Sequence, residues 1–320
     1  MTALRLGTRR SALATTQSRW VADQLVALGH EVELVEITTE GDRSTELLTT
    51  IGGTGVFVSA IRDALVQGRI DLAVHSLKDL PTTPDPLLVL AAIPVREGSR
   101  DVLIARDGLT LGELPPGSVV GTGSPRRAAQ LAALGLGLDV RPIRGNIDTR
   151  IRFVAAGSVD AVVLARAGLA RLGLLKQATE VLDPIQMLPA PGQGALGVEC
   201  RCDRLDVVAA LAPLDDADTR TCVVAERSLL ATLEAGCTAP VGALAEVVEG
   251  EDGLELSLRA FAGSEDGSVE LRRSLVGDYR EPEALGARLA HILLEDGAAD
   301  LTGATAPTLD PAPHRSEHVS

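Results

Sequence analysis

The sequence predicts an α/β protein of three domains. Three observations carry this: a β-α-β unit opens the chain, a second run of alternating strands and helices begins near Asp101, and after Pro213 the pattern changes to helix, three strands and helix. At 320 residues and 33.3 kDa the chain is also longer than one core usually serves. The expected division is residues 1–97 with 194–213 for the first domain and 98–193 for the second. Residues 214–304 form a small α+β third domain, and 305–320 a Pro- and Ala-bearing tail expected to be disordered.

Leu4 to Thr8 reads as a strand, Ala12 to Leu28 as an amphipathic helix stopped by Gly29, and Glu31 to Ile37 as an alternating strand. Thr38 to Gly55 holds four glycines and little apolar periodicity, which suits a long mobile loop of the kind that serves as a lid. A helix is expected from Phe57 to Gln67. The buried strand Ile70 to Val74 then runs into His75-Ser76-Leu77-Lys78-Asp79, and further strands lead to Gly98. In the second unit Ser118 to Gly121, Leu138 to Ile143 and Asp160 to Ala165 read as strands, each followed by a helix. Met187 to Glu199, rich in Pro and Gly, suits a return crossing between domains. Helices are expected at Thr219 to Leu233 and Pro282 to Leu294, with strands near Gly242 to Val248, Leu254 to Ala262 and Val269 to Val276 between them.

Composition excludes several classes. Hydrophobic residues make up 45% and charged residues 23%, a globular balance, and no apolar run is long enough to span a bilayer. Met1 to Leu13 lacks the apolar stretch of an export signal, so a cytoplasmic protein is expected. A net charge of -14 and 2% aromatic residues argue against binding nucleic acid. Four cysteines are too few for a disulfide framework in a chain this long, and Cys200-Arg201-Cys202 lacks zinc-site spacing, so no metal is expected.

Against the acidic total, residues 121–171 carry eight Arg and three Asp. Such a basic region suits a small anionic ligand. Ser124 is a good N-cap, Pro125 fits the first helical turn, and Arg126 and Arg127 add two guanidinium groups to the same helix start. Asn146 caps a second such helix with Arg144 before it and Arg150 after it, and Ser11 opens a third beside Arg9 and Arg10. Three helix starts with Arg attached favour a cleft for several carboxylates or phosphates. Asp79, beside Lys78, falls beyond the carboxyl end of a strand, where open parallel sheets present ligands, so it could stabilise a cation or move a proton. His75 reads as a packed, hydrogen-bonded histidine and Cys222 as facing a core. Cys237 sits on a turn just past a helix end, where a thiol can be reached.

Six stretches in order resemble the porphobilinogen deaminase (hydroxymethylbilane synthase) family: Thr39-Glu40-Gly41-Asp42, Val74 to Pro81, Gly121 to Arg127, Arg144-Gly145-Asn146, Leu188 to Gly194 and Glu234-Ala235-Gly236-Cys237. The resemblance covers essentially the whole chain. It implies that the first two domains are like a two-lobed periplasmic-type binding protein with chain crossings. It further implies a covalently bound dipyrromethane, joined by a thioether to Cys237, on which four porphobilinogen units condense with loss of ammonia into a linear tetrapyrrole.

Carried over residue by residue, the resemblance makes Asp79 and Lys78 catalytic, with Asp79 stabilising the azafulvene cation left when ammonia departs. Cofactor contacts would come from Arg126, Arg127, Ser124, Arg150, Ser11, Thr122, Gly145 and Asn146 as well as Cys237. Substrate contacts would come from Arg9, Arg144, Arg171, Phe57 and Gln193. A monomeric transferase of haem biosynthesis is expected. Two departures stand out: Thr54 and Ser59 occupy lid positions where the family usually carries Lys, and Gly123 replaces a usual Ser, with Pro125 after it. A solute-binding protein of the same fold is the rival reading, but it expects an export signal and gives Cys237 no task. A regulatory protein that kept the fold and lost activity is a third.

Overall fold

The computed structural model describes residues 3–37, 55–235, 239–251 and 253–302, with 55–57 by backbone alone. In chain order its elements begin with β1 (Leu4–Thr8), α1 (Ala12–Ala27), β2 (Val32–Glu36), α2 (Gly55–Val66), β3 (Leu72–Ser76) and β4 (Leu88–Ala92). There follow β5 (Asp101–Ala105), β6 (Val119–Thr122), α3 (Pro125–Ala133), β7 (Asp139–Pro142), α4 (Ile147–Ala155), β8 (Ala161–Ala165), α5 (Arg166–Arg171) and β9 (Glu180–Val181). The chain continues through β10 (Leu196–Arg201), α6 (Leu205–Leu211), α7 (Ala217–Thr232), β11 (Val241–Gly250), β12 (Gly253–Gly263), β13 (Glu270–Asp278), α8 (Pro282–Glu295) and α9 (Ala298–Thr302). Short helices α6 and α9 and the two-residue β9 add to the sequence reading, each too brief for its periodicity to show. Between Gln67 and Gly98 a single strand after β3, not several, forms. The expected lid loop and the tail at 305–320 lie outside the described residues.

Three sheets result. The first has the order β2-β1-β3-β10-β4 and the second β7-β6-β8-β5-β9, while β11-β12-β13 form an antiparallel third. Where the sequence suggested open parallel sheets, the first two are mixed. In each, a parallel trio is joined by one antiparallel strand, β10 beside β3 and β5 beside β8. Both of these strands arrive directly from the other sheet. Parallel neighbours need a helical crossover, and a strand entering by a direct crossing has none.

Burial explains why each layer holds. Helix α1 places Val21 and Leu25, one turn apart, on β1 and β3 through Leu6 and Leu72, all with no exposure. Each such side chain stabilises the fold by roughly 1.5–3 kcal/mol. In the third unit α7 and α8 bring Leu229, Leu289 and Leu293 onto Leu256 and Leu258 of β12. This unit also docks on the others: Val223 packs with Leu77, Leu80 and Ile93, and Phe261 with Ala129 and Leu188. Arg227 donates to the carbonyls of Leu80 and Pro81 at 2.9 and 2.7 Å, tying α7 to the segment that follows Asp79.

The two crossings between the first and second sheets run through residues 93–100 and 187–195 and touch each other. Gly194 has φ +92°, and a Cβ there would lie 2.2 Å from the Glu97 carbonyl oxygen, so only glycine allows this contact. Helix α5 clamps both crossings: Arg166 pairs with Glu97 at 2.5 Å, and Arg171 donates to the Gly194 carbonyl at 2.6 Å.

Candidate active site

Between the first two sheets lies a cleft of about 1140 Å³, above the roughly 300–1,000 Å³ of an ordinary small-molecule site. The three Arg-bearing helix starts open on it. Ser11 Oγ accepts from the Ala14 amide at 3.3 Å, Ser124 Oγ from the Arg127 amide at 3.5 Å, and Asn146 Oδ1 from the Thr149 amide at 3.0 Å, so all three act as N-caps. Gly123 sits on the wall with room for no side chain, since a Cβ would lie 2.7 Å from the Ile143 carbonyl oxygen.

Seven cationic side chains line the cleft (Arg9, Lys78, Arg127, Arg141, Arg144, Arg150 and Arg171) against three carboxylates, Asp79, Asp148 and Glu265. Arg141 is paired with Asp139 at 2.5 Å. Among the described residues no carboxylate forms an ion pair with Arg144, Arg150 or Arg171. Burial, with Arg127 and Arg144 nearby, lowers the Arg150 pKa to about 10. Burial also lowers that of Arg171, and Glu97 offsets part of this. Arg127 Nε is buried with no hydrogen-bond acceptor. Such a wall is destabilised by its own charge until anions fill it, and this donor set fits a pyrrole chain bearing several carboxylates.

Lys78 and Asp79 form a 3₁₀ turn that continues β3. Asp79 is exposed to the cleft and Lys78 is partly buried. The Lys78 ammonium donates to Gln193 Oε1 at 3.2 Å, and Gln193 Nε2 donates to Asp101 Oδ1 at 2.8 Å and to the Ser99 carbonyl at 2.7 Å. Asp101 is fully buried and also takes Arg127 Nη2 on Oδ1 and Arg126 Nη2 on Oδ2, both at 2.8 Å. Burial drives the Asp101 carboxyl pKa up, but the two guanidinium groups override it and hold the group far below the usual carboxylate range. Burial pushes the Lys78 ammonium down to about 8, opposed by Asp79 and Asp101 and reinforced by Arg127 and Arg126.

Of the residues singled out from the sequence, the structure gathers Arg9, Ser11, Lys78, Asp79, Thr122, Ser124, Arg127, Arg144, Gly145, Asn146, Arg150 and Arg171 around one cleft. Arg126 is not on that wall. Successive helix residues point about 100° apart, and Arg126 turns inward to Asp101 and to the Leu188 carbonyl at 2.5 Å. Gln193 is likewise fully buried behind the wall. Phe57 falls in α2 with its side chain outside the described atoms, Ser59 is exposed on the same helix, and Cys237 and Thr54 lie outside the described residues. The sequence reading missed Gln17, which lines the cleft and donates to Ser76 Oγ at 2.9 Å, and the buried Asp101 and Glu226. None of these carries a local signal; each acquires its partners from residues at least 19 positions away.

His75 is buried, its Nε2 3.2 Å from Glu199 Oε2. Cys222 is buried in the third unit's core, and burial raises its thiol to about 12 and that of Cys200 to about 11, so neither is a ready nucleophile. Among the described residues no cluster of three His, Cys, Asp or Glu side chains could hold a metal ion.

The family profile described as "Porphobilinogen deaminase, dipyromethane cofactor binding domain" matches residues 4–209, and "Porphobilinogen deaminase, C-terminal domain" matches 220–295. A porphobilinogen deaminase of Mycobacterium avium (strain 104) is 59% identical over 303 residues, covering 93% of this chain and 96% of that one. One from Mycobacterium tuberculosis (strain ATCC 25618 / H37Rv) is equally similar, covering 93% and 98%. Among solved structures, an ABC transporter periplasmic substrate-binding protein from Coxiella burnetii aligns with TM-score 0.41 at 15% identity, over 65% of this chain and 91% of that one. By profile over both its parts and by identity along nearly all its length, the chain belongs to the porphobilinogen deaminase family.

Proposed function

We propose that the cleft is where this chain, as a transferase of tetrapyrrole biosynthesis, joins four porphobilinogen molecules with loss of ammonia into hydroxymethylbilane. The observation that carries the residue roles is that Arg144, Arg150 and Arg171, which form no ion pair with a carboxylate among the described residues, line the same cleft as the exposed Asp79 in the turn after β3. Every pyrrole added brings an acetate and a propionate, so the anionic load grows with each turn, and a multi-Arg wall is suited to a ligand of increasing charge. Arg127, Arg150, Ser124, Asn146 and Ser11 would hold the dipyrromethane, which when bound supplies the free pyrrole α-carbon to which substrate is joined. Arg9, Arg144 and Arg171 remain for the carboxylates of incoming units. Arg126 acts from behind the wall, through Asp101.

Asp79 performs the charge work. As the aminomethyl C–N bond breaks, its electron pair leaves with nitrogen as ammonia and the methylene carbon becomes cationic; a carboxylate facing it offsets that charge. Once the new carbon–carbon bond has formed, the pyrrole α-carbon must lose a proton, and Asp79 is the base at hand. Lys78, held away from bulk water, keeps a donor beside Asp79 for a substrate carboxylate.

The three sheets support dividing the chain into 1–97 with 194–213, 98–193 and 214–304. Cys237 is the attachment point in this reading, on the grounds that the motif around it matches the family's and that the buried Cys200 and Cys222 are held as thiols. No helix among the described residues is long and apolar enough to cross a membrane; a cytoplasmic, monomeric enzyme is part of the proposed reading. Intact mass tests the reading: the purified protein should exceed its sequence mass by one dipyrromethane, with the adduct on the peptide containing Cys237. Cys237→Ala should remove adduct and activity together while Cys222→Ala keeps both. An adduct on another peptide, or full activity in Cys237→Ala, would overturn the attachment site.

A further inference from the structure

Asp101 opens β5, immediately after the first crossing, and three side chains from two other elements converge on its carboxylate. Helix α3 sends Arg126 to one oxygen and Arg127 to the other, and the second crossing sends Gln193, whose own oxygen takes the ammonium of Lys78 from the turn after β3. The carboxylate is wholly buried, so water cannot replace it as an acceptor. The chain Lys78–Gln193–Asp101–Arg127 is the polar connection that leads from the first sheet's Lys78–Asp79 turn to the second sheet's arginine wall.

We propose that Asp101 is a positioning residue for the reaction: through Gln193 it fixes the Lys78 ammonium, and directly it fixes Arg127, so that one buried carboxylate sets the catalytic turn of the first domain against the anion-binding wall of the second. A role limited to neutralising Arg126 and Arg127 would not require Gln193 to bond both Asp101 and Lys78 at once. The charged groups facing Lys78 are Asp79 on its own turn, Asp101 on β5, and Arg126 and Arg127 on α3. Removal of Asp101 leaves the ammonium opposed to two guanidinium groups with Asp79 alone to balance them. This inference rests on the cleft being the site of condensation with Lys78 and Asp79 in it.

The test exploits composition: the chain has two lysines, Lys78 and the exposed Lys176, so lysine-selective ¹³C labelling gives two ε-methylene signals. These are titrated on the purified protein without substrate, in wild type, Asp101→Asn and Gln193→Met. Asn keeps the size but turns an amide N–H towards one of the Arg donors, and Met keeps the volume of Gln193 while breaking the link and sparing both Arg pairs. The expected result is a Lys78 midpoint lowered by about one pH unit in Asp101→Asn, a displaced Lys78 curve in Gln193→Met, and an unmoved Lys176. In both variants kcat should fall about 10²-fold with KM changed less than about threefold. Should Asp101→Asn fail to fold, Gln193→Met decides alone. Lys78 curves that superimpose on wild type overturn the proposal whatever turnover does. A displaced curve with wild-type kcat shows that Asp101 holds Lys78 without serving the reaction and overturns the positioning role.

Discussion

Glu226 joins all three units, and its replacement by Gln should uncouple them. It lies on α7 with no exposure and takes four donors: Arg96 Nη1 at 2.7 Å and the Ala245 amide at 2.9 Å on one oxygen, the Gly192 amide at 2.6 Å and Arg96 Nη2 at 3.1 Å on the other. Arg96 belongs to the first crossing, Gly192 to the second and Ala245 to the third sheet. A Gln side chain fills the same space but presents one oxygen and one NH₂, so in either orientation two of the four donors face a donor. Each unmet buried group costs about 1–3 kcal/mol, and breaking a buried ion pair from one side costs about 3–5 kcal/mol; these describe the same loss, so the expected destabilisation is about 3–5 kcal/mol. With about 2–4 °C per kcal/mol in chains somewhat shorter than this one, the thermal midpoint should drop by about 10 °C. Denaturant midpoints and thermal unfolding of the cofactor-loaded protein measure it. Adding Arg96→Met to Glu226→Gln should recover part of the loss, because no charge is then left unpaired. Since α7 leads within five residues to Cys237, cofactor loading should fall as well. A Glu226→Gln protein within about 1 kcal/mol of wild type would refute the view that this carboxylate binds the units together.

Asp79→Asn should leave the adduct in place while turnover falls. A carboxylate about 4 Å from a unit cation contributes about 1 kcal/mol in open water and about 4 kcal/mol at an effective dielectric of 20, so the loss should lie between about 5-fold and about 10³-fold, and wild-type steady-state production of hydroxymethylbilane would remove Asp79 from the mechanism. Arg144→Leu and Arg150→Leu should stall elongation at different chain lengths, seen by native mass spectrometry as partial pyrrole additions; normal elongation in both would mean that the basic wall does not hold the growing chain. Acid stability carries a signature of Glu199: burial raises its pKa, but His75 and Arg62 bring it down to about 2. A carboxylate depressed in the folded state contributes stability that is complete above its unfolded value near 4.3 and is lost as pH falls towards about 2, so unfolding free energy should drop by up to about 3 kcal/mol across that window. In Glu199→Gln that share should be missing from the acid loss, to which other depressed carboxylates such as Asp71 also contribute, and equal slopes for the two proteins would contradict the assignment.

Much of this protein was legible before any coordinates. Strand–loop–helix starts at Ser11, Ser124 and Asn146 announce themselves because capping is a contact between residues three apart. The alternation of strands and helices marks the two α/β units for the same reason, since amphipathic periods of 2 and 3.6 residues are written within one element. The resemblance to the family was carried by six short motifs in order, each a run of adjacent residues.

Tertiary structure alone decided what depends on distant partners. That Arg127 faces the cleft while Arg126 turns away to Asp101 follows from the 100° step of a helix together with the place of β5, and β5 owes its antiparallel entry to a crossing that no periodicity reports. Asp101 and Glu226 look in sequence like ordinary acidic residues; burial among arginines and amides makes one the junction of two domains and the other of three. Local chemistry can be read from adjacent residues because the chain itself holds them together, whereas a buried carboxylate acquires its meaning from groups brought to it by packing.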